Sequence, residues 1–146
     1  MRYFLLFGSN LGDRNKNIAE GIMRLKRKGL KEFTRSKVYE SLPWGIRNQP
    51  RFRNQVVGFE SGLSPEEMLR IIKSVELIMG RLPSKRYGPR LIDIDILMIE
   101  GRKFRSSELE IPHSKLFERP FALTPLHEVT SIEMIPIGRG EVWTAT

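Results

Sequence analysis

The feature that most constrains the fold is the order in which strand-like and helix-like patterns follow one another along the 146 residues. Residues 2–7 form a dense apolar run that is typical of a buried central strand. Apolar residues then recur at helical spacing from Ile18 to Leu25, and they predict a helix that lies between Asp13 and Gly29. The chain therefore begins with a strand and a helix that packs on it.

Two further strands, a second helix and a last strand are predicted after this helix. Residues 33–41 and 52–60 predict two strands, joined by a loop that is rich in proline and charge. Ser64 begins a capping-box sequence, S-P-E-E, and apolar residues carry the predicted helix to Gly80. The branched residues of 92–99 predict another strand. The whole pattern is β-α-β-β-α-β.

This order predicts an α+β fold with a ferredoxin-like core, in which both long helices pack on a mainly antiparallel sheet. Short helical pieces broken by Pro120 and Pro125 are predicted over 116–129, as a helical C-terminal extension that covers the other face or one end of the sheet. We expect the tail after Ile135 to be irregular.

Composition limits the class of protein. The length fits one domain over residues 1–146. The absence of cysteine excludes a disulfide framework, a thiol nucleophile and a Cys-ligated metal. No apolar run approaches the roughly 20 residues of a membrane span, and the N-terminus does not have the pattern of a secretory signal. We therefore expect a soluble cytoplasmic protein that does not engage a membrane, and we expect it to be a monomer.

Positive charge is concentrated in the first part of the chain. Residues 1–55 contain thirteen Lys and Arg against four Asp and Glu, whereas residues 56–146 contain twelve against thirteen. The net charge of +8 predicts an anionic partner, either a nucleic acid or a small polyphosphate. A merely solvated basic surface explains the same composition.

Two aspartates interrupt the last predicted strand of the core. Asp93 and Asp95 are two residues apart, so they share one face of the strand with α-carbons about 6.6 Å apart. Carboxylates that repel each other among aliphatic neighbours need a cation. Mg²⁺ fits because it takes one or two carboxylates and completes its shell with water and phosphates. Exposure at the strand end, or pairing with a nearby arginine, would also satisfy them.

A basic segment comes directly before this strand. Arg81, Lys85, Arg86 and Arg90 provide four positive charges without an acid among them. Carboxylates that hold a metal beside cations that hold phosphate oxygens would suit a Mg²⁺–polyphosphate ligand. Taken alone, such a segment is more often an ordinary charged loop.

The remaining candidates are weaker. His113 and Arg119 could contact phosphates, and Asn10 lies in a turn that could hold an anion. Three aromatic residues could stack on a flat heterocycle: Trp44, Phe52 and Phe121. Each of these residues is more often structural when it is considered by itself.

With these residues identified, the chain closely resembles the 6-hydroxymethyl-7,8-dihydropterin pyrophosphokinases of folate biosynthesis. The resemblance extends over nearly the whole chain. It depends on FGSNLGDR at 7–14, LPWG and QPRFRNQV within 42–56, VELIMGR at 75–81, YGPRLIDIDIL at 87–97 and IPHSKLFERPFALTPLHE at 111–128.

The resemblance implies a role for each matching residue. Asp93 and Asp95 resemble the pair that binds two Mg²⁺ ions with ATP. The residues that match the family's pterin site, with Asp93 beside them, are Leu42, Trp44, Asn54 and Phe121. Those that match its ATP site are Glu76, Arg81, Arg90, His113 and Arg119. Arg81, Arg90 and Asp95 are implied in catalysis, with Asp95 as the residue that would assist the reacting hydroxyl.

The implied reaction transfers the pyrophosphoryl group of ATP to the pterin hydroxymethyl oxygen and releases AMP. Tyr87, Ser114 and a short 81–87 segment depart from the family's common pattern, which affects nucleotide contacts more than the reaction. Two other hypotheses are an RNA-binding ferredoxin-like module and a non-catalytic relative. The first lacks the interleaved aromatic and basic pattern of RNA-binding strands, and the intact aspartate pair argues against the second.

Overall fold

The computed structural model describes residues 1–42, 48–80 and 91–130, together with the backbone of 142–144. Its elements follow the predicted order. The strands are β1 (Arg2–Ser9), β2 (Lys31–Arg35), β3 (Tyr39–Ser41), β4 (Phe52–Glu60), β5 (Asp93–Ile99), β6 (Phe104–Arg105), β7 (Glu110–Ile111) and β8 (Val142–Thr144). The helices are α1 (Arg14–Arg27), α2 (Pro65–Ile78) and α3 (Pro120–Val129), with a 3₁₀ turn over Leu116–Glu118.

Six of the described strands form one sheet in the order β5-β1-β4-β3-β8, and β2 also pairs with β4. Every pairing in this sheet is antiparallel. Helix α1 connects β1 to β2 across β4, and helix α2 connects β4 to β5 across β1. This topology confirms the predicted α+β class and its ferredoxin-like core.

The central strand β1 is buried on both faces because two groups of helices cover the sheet. Tyr3, Leu5 and Phe7 pack against α1 and α2, on what we call the two-helix face. Phe4 and Leu6 point the other way and pack against α3, on what we call the α3 face. The C-terminal helix thus covers the second face of the sheet, which is one of the two positions that the sequence left open.

Both long helices begin as their sequences predict. The Asp13 side chain accepts a hydrogen bond from the Lys16 N–H, so it caps α1. At α2, the Ser64 hydroxyl accepts from the Glu67 N–H, and the Glu67 carboxylate accepts from the Ser64 N–H. These bonds satisfy donors that the first turn of a helix leaves without partners.

The single strand predicted over 33–41 is wrong, because β2 and β3 are separate strands. Arg35 pairs with Val57 and Tyr39 pairs with Asn54, so three residues (36–38) lie between these pairs on one side and two (55–56) lie between them on β4. Ser36 still bonds to Val56, because its N–H donates to the Val56 carbonyl and its hydroxyl accepts from the Val56 N–H, so the extra residue lies at 37–38. The interruption is a bulge that pairing with β4 imposes.

Two expectations for the C-terminal part are also wrong. Pro120 separates the 3₁₀ turn from α3, as predicted, but Pro125 lies inside α3 and does not break it. The apolar residues that α3 buries against the sheet outweigh the one backbone hydrogen bond that Pro125 removes. The tail is not irregular throughout, because β8 pairs antiparallel with β3.

Candidate functional site

The α3 face carries a row of polar residues at one end of the sheet. Gly8 in β1 pairs with Asp93 of β5 on one side and with Asn54 of β4 on the other, and Asn54 pairs in turn with Tyr39. Directly paired residues point to the same side, and neighbouring strands are about 4.8 Å apart. Asp93 and Asn54 therefore face the same space across roughly 10 Å, with the glycine between them.

The Asn54 side chain is fixed by burial and by a hydrogen bond to β3. Its side chain is buried, with 2% exposed, and its Nδ2 donates to the Ser41 Oγ at 2.8 Å. Leu42 comes directly after Ser41 and is half-buried. Trp44, which the sequence assigned to the same region, lies outside the described residues. The carboxamide has both a donor and an acceptor, and burial fixes where it can present them.

The two aspartates of β5 lie as the alternation predicted. Ile94 and Ile96 belong to the core of the two-helix face, so Asp93 and Asp95 project from the opposite side and are half-buried. In the part of the chain that the structure describes, no group of three or more His, Cys, Asp or Glu is placed to hold a metal ion. A carboxylate pair of this kind suits Mg²⁺ that takes its other ligands from water and phosphate.

Glu76 reaches the outer edge of β5. It lies near the end of α2, is 4% exposed, and its Oε2 accepts from the Ile94 N–H at 2.9 Å. This N–H points away from β1, at the side of the sheet where no further described strand pairs. Glu76 therefore fixes the end of α2 against the strand that carries the aspartates.

His113 follows the same edge. Its backbone N–H donates to the Leu97 carbonyl at 2.8 Å, and its Nδ1 accepts from the Lys115 N–H at 3.2 Å. Burial lowers the pKa of His113, and the positive charges of Arg119 and Lys115 act in the same direction, whereas the Asp95 carboxylate opposes the shift. The lowered pKa favours the neutral form of His113 beside the aspartate pair.

Arg119 and Phe121 lie at the junction of the 3₁₀ turn and α3. The Arg119 guanidinium is 5.6 Å from the centre of the Phe121 ring. Phe121 is half-buried and packs at the margin of the α3-face core. An aromatic ring and a guanidinium thus lie close together on the face that also carries Asn54 and the aspartates.

A cleft of about 520 Å³ extends outward from the aspartates. It is lined by Leu69, Lys73, Glu76, Asp93, Ile94, Asp95, Ile96, Glu108, Leu109, Glu110, His113 and Ser114. Five of these side chains are acidic, against one lysine. A polyanion would be repelled by such a surface unless divalent cations or a separate basic segment accompanied it.

Sequence reasoning missed the apolar and basic walls of this cleft. Leu69, Lys73 and Glu76 recur at helical spacing on α2, so the period places all three on one helix face. Leu109, on the opposite wall, belongs to the β6–β7 connection, which the sequence did not predict. A helical projection would have found the first wall, but only the tertiary fold brings the second one opposite.

Asn10 has a different role from the anion cradle that its turn suggested. Its Nδ2 donates to the Gln49 Oε1 at 2.9 Å and to the Pro50 carbonyl at 3.0 Å. The Arg14 side chain donates to the Arg51 carbonyl at 2.9 Å. These bonds tie the chain that leads into β4 to the turn after β1.

The structure thus brings Glu76, Asp93, Asp95 and His113 together around one cleft, and it places Asn54 on the same face as the aspartates. Arg81 and Arg90, like the rest of the basic segment 81–90, lie outside the described residues.

Comparison with known proteins assigns the family. The family model described as 7,8-dihydro-6-hydroxymethylpterin-pyrophosphokinase matches residues 4–131. The chain belongs to this family. The match includes every residue that the sequence analysis singled out for the site.

Curated relatives of the pyrophosphokinase family include both long and short proteins. The chain is 39% identical over 125 residues to the mitochondrial folate synthesis bifunctional protein of Pisum sativum. The matched region covers 86% of this chain and 24% of the plant protein. It is 37% identical over 129 residues to the 2-amino-4-hydroxy-6-hydroxymethyldihydropteridine pyrophosphokinase of Methylorubrum extorquens, covering 88% and 82%. The chain spans about a quarter of the plant protein.

Solved structures agree in fold. A crystal structure of HPPK-DHPS in complex with substrates matches with a TM-score of 0.67 and 18% identity, over 87% of this chain and 39% of that one. At this identity the match shows the fold alone. Among the described residues, no helix is long and apolar enough to cross a membrane.

Proposed function

We propose that the chain transfers the pyrophosphoryl group of ATP to the hydroxymethyl oxygen of 6-hydroxymethyl-7,8-dihydropterin and releases AMP. The observation that carries this proposal is the row across the sheet, in which Gly8 separates the Asn54 carboxamide from the Asp93 carboxylate. One end of this row suits a heterocycle with donors and acceptors, and the other suits a metal-bound polyphosphate. Membership of the pyrophosphokinase family supports the same pairing of substrates.

The pterin would occupy the α3 face above Gly8. Asn54 would take the polar edge of the ring, because its carboxamide offers a donor and an acceptor to an edge that needs both. Phe121 and the half-buried Phe52 would stack on the ring faces. Leu42 and Trp44 would border the pocket, and the hydroxymethyl group would point toward Asp93.

ATP would occupy the cleft beside β5. Its apolar wall, formed by Leu69, Ile96 and Leu109, suits the base, and the aspartates lie at the inner end. Glu76, His113 and Arg119 would contact the nucleotide from the described part of the site. The family resemblance assigns Arg81 and Arg90 to the ATP site as well.

The metal would be Mg²⁺, with two ions held by Asp93 and Asp95. The residues fit, because two half-buried carboxylates on one strand face border an acidic cleft that a free polyphosphate could not enter. When bound, the ions supply neutralisation of the charge on the phosphate oxygens.

The protein's contribution is then mainly positioning and electrostatics. The hydroxymethyl oxygen forms a bond to the β-phosphorus, the bond from that phosphorus to the α-phosphate oxygen breaks, and AMP leaves with that oxygen. Asp95 would accept the hydroxyl proton or orient the hydroxyl. Arg81 and Arg90 would stabilise negative charge that develops on the transferred group.

An RNA-binding function is disfavoured by the acidic cleft, because its carboxylates would repel a phosphate backbone. The absence of a nucleic-acid partner, the monomeric state, the cytoplasmic location and the single-domain assignment remain predictions.

One assay tests the proposal. AMP release from ATP is measured with Mg²⁺ and hydroxymethyl-dihydropterin, and then with each omitted in turn. We expect AMP only in the complete mixture. ADP as the product, or AMP formed at the same rate without the pterin, would contradict the proposal.

A further inference from the structure

Three arginines surround the carboxylate of Glu40, and we call these four residues the Glu40 cluster. The Glu40 Oε1 lies 3.1 Å from the Arg14 Nη1 and 3.5 Å from the Arg53 Nε. Its Oε2 lies 3.7 Å from the Arg51 Nη1. Burial acts to raise the pKa of the Glu40 carboxyl, but the bond from Arg14 and the charges of Arg14 and Arg53 outweigh it and lower the pKa. Glu40 is therefore ionised at neutral pH.

The Glu40 cluster joins three parts of the fold. Glu40 is the middle residue of β3, and Arg53 belongs to β4. Arg14 is the first residue of α1, and Arg51 comes directly before β4. The Arg14 Nη1 also donates to the Arg51 carbonyl at 2.9 Å. The cluster thus holds the beginning of β4 against both β3 and α1.

The cluster and the proposed pterin contacts lie on opposite sides of the same two strands. Glu40 pairs with Arg53 on the side of the sheet where α1 and α2 lie. The next residues along the strands, Ser41 and Asn54, point to the α3 face and share a hydrogen bond of 2.8 Å. Phe52 pairs with Ser41 on that face. Because side chains alternate along a strand, a backbone shift at the cluster also moves these residues.

Stability alone does not account for the Glu40 cluster. Removing charged groups from water is costly, and partly buried ionic clusters often stabilise a fold no better than apolar residues do. The Arg53 Nε is buried and forms no hydrogen bond among the described residues. The cluster does provide a fixed distance between segments, because guanidinium groups from α1, β4 and the chain before β4 converge on one carboxylate.

We propose that Glu40 is a positioning residue, which sets the distance between β3 and the beginning of β4 and so aligns Asn54 and Phe52 for the pterin. This inference rests on the proposed function. Glu40 contacts no substrate and acts through the backbone of the two strands. A substrate misplaced by about 1 Å can lose about 100-fold in rate, so a small strand displacement is enough to affect turnover.

Glu32 on β2 is a matched control for Glu40. Its side chain is 15% exposed, against 16% for Glu40, and it is also bound by cations, with Lys26 at 3.4 Å and Arg35 at 2.7 Å. Glu32 pairs with Phe59, near the opposite end of β4 from Asn54. The two carboxylates therefore share their chemistry and differ in their distance from the candidate site.

The first test compares Glu40→Gln with Glu32→Gln. Both variants leave cations without a counter-charge, so both should lower the thermal midpoint. Only Glu40→Gln should lower kcat/KM for the pterin, by about 10- to 100-fold. The dissociation constant of a Mg²⁺–ATP analogue should stay within about twofold in both variants. Equal kcat/KM values for the two variants, or an equal loss of pterin and nucleotide binding in Glu40→Gln, would overturn the inference.

Rescue by a small carboxylate distinguishes the loss of a bridging charge from a general loss of structure. Glu40→Ala opens a space between the arginines that formate can enter. We expect sodium formate to raise kcat/KM for the pterin toward the wild-type value, and sodium chloride at the same concentration to raise it far less. The same effect of both salts would contradict the role of the carboxylate.

A further measurement uses the wild-type protein and so does not depend on the folding of a variant. If the Glu40 cluster sets the pterin site, pterin binding must in turn affect the cluster, because such coupling is reciprocal. Pterin added with a Mg²⁺–ATP analogue should shift the Nε–H NMR signals of Arg14 and Arg53, and should leave that of Arg35 unchanged. If pterin binds saturably and the cluster signals do not move, the inference is wrong and the proposed function stands. If no pterin binds, both fail.

Discussion

The two faces of the sheet differ although the same strands build both. The two-helix face is closed by α1 and α2, and the side chains that β1 buries there are aromatic or aliphatic. The α3 face has a smaller apolar core, and beyond its end lie Gly8, Asn54, Asp93 and Asp95. One face therefore provides most of the apolar packing, and the other carries the polar residues of the candidate site.

Residues of the packed core and residues of the candidate site are immediate neighbours in the sequence. Asn54 and Gln55 are adjacent on β4, as Asp93 and Ile94 are on β5, and each pair divides between the two faces. Because side chains alternate along a strand, a shift of one residue would bury the aspartates against the helices. Packing on the two-helix face thus fixes the register that places the aspartates on the α3 face.

The largest effect should come from the aspartates. We expect Asp93→Asn and Asp95→Asn each to lower kcat by about 10³-fold or more, because the phosphate charge would lose part of its metal-dependent neutralisation. The free energy of unfolding should change little or rise, since the substitution relieves repulsion between like charges.

Asp13→Asn is the matched control, because asparagine caps a helix as well as aspartate does. Its turnover should be that of the wild type. Near-normal turnover in either strand variant would remove the metal assignment.

Substitutions on the two-helix face should lower stability, whereas those at the aspartates should lower turnover. Phe7 is fully buried and lies edge-to-face with Phe59 at 6.4 Å. Phe7→Ala should lower the free energy of unfolding by about 3–5 kcal/mol, as measured by urea denaturation. Phe117→Ala, at a residue that is 58% exposed, should cost far less. Equal losses would mean that this face is not the principal core.

Adjacent residues on β4 provide a sharper comparison. Asn54→Asp removes a donor from the proposed pterin edge, so we expect pterin affinity to fall about 10- to 100-fold while nucleotide affinity changes little. Gln55→Glu is its neighbour on the other face, where Nε2 donates to the Ser36 carbonyl at 2.7 Å. It should lower stability, because a carboxylate would face a carbonyl oxygen.

Calorimetric titration and thermal denaturation of both variants would measure the two effects. If Asn54→Asp weakened pterin and nucleotide equally, Asn54 would support the fold instead of the substrate.

The smallest effect should come from a residue that is remote from the proposed substrates. Ser64→Ala removes one bond of the α2 capping box, and we expect a loss of about 1 kcal/mol in unfolding free energy. Ser64→Thr should restore most of it. Steady-state kinetics should be unchanged in both variants, and a lower kcat would indicate that α2 transmits strain to Glu76.

Local patterns predicted the parts of the fold that local physics determines. The capping box at Ser64, the cap at Asp13 and the alternation of Asp93 and Asp95 each depend on residues close in sequence. They were enough to predict the ferredoxin-like order of the elements and the aspartate side of the candidate site. The family resemblance added Asn54, whose position opposite Gly8 no local pattern indicates.

The misses have a common physical cause, which is contact between distant segments. The interruption between β2 and β3 accompanies their pairing with β4, where Ser36 bonds to Val56, twenty residues away. Helix α3 continues through Pro125 because the sheet buries its apolar side. The wall of the cleft at Leu109 faces α2 only after the chain has folded. Each of these contacts joins segments that are distant in the sequence.

The central claim is that the metal-dependent chemistry takes place on the α3 face at the end of β5. The most direct test replaces Mg²⁺ by paramagnetic Mn²⁺, with an ATP analogue and pterin bound, and measures the line broadening of backbone amides. We predict the strongest broadening at Asp93, Asp95 and Gly8, and none at Leu25 on the far end of α1. Broadening centred on another acidic residue, such as Glu32 or Glu40, would contradict the account.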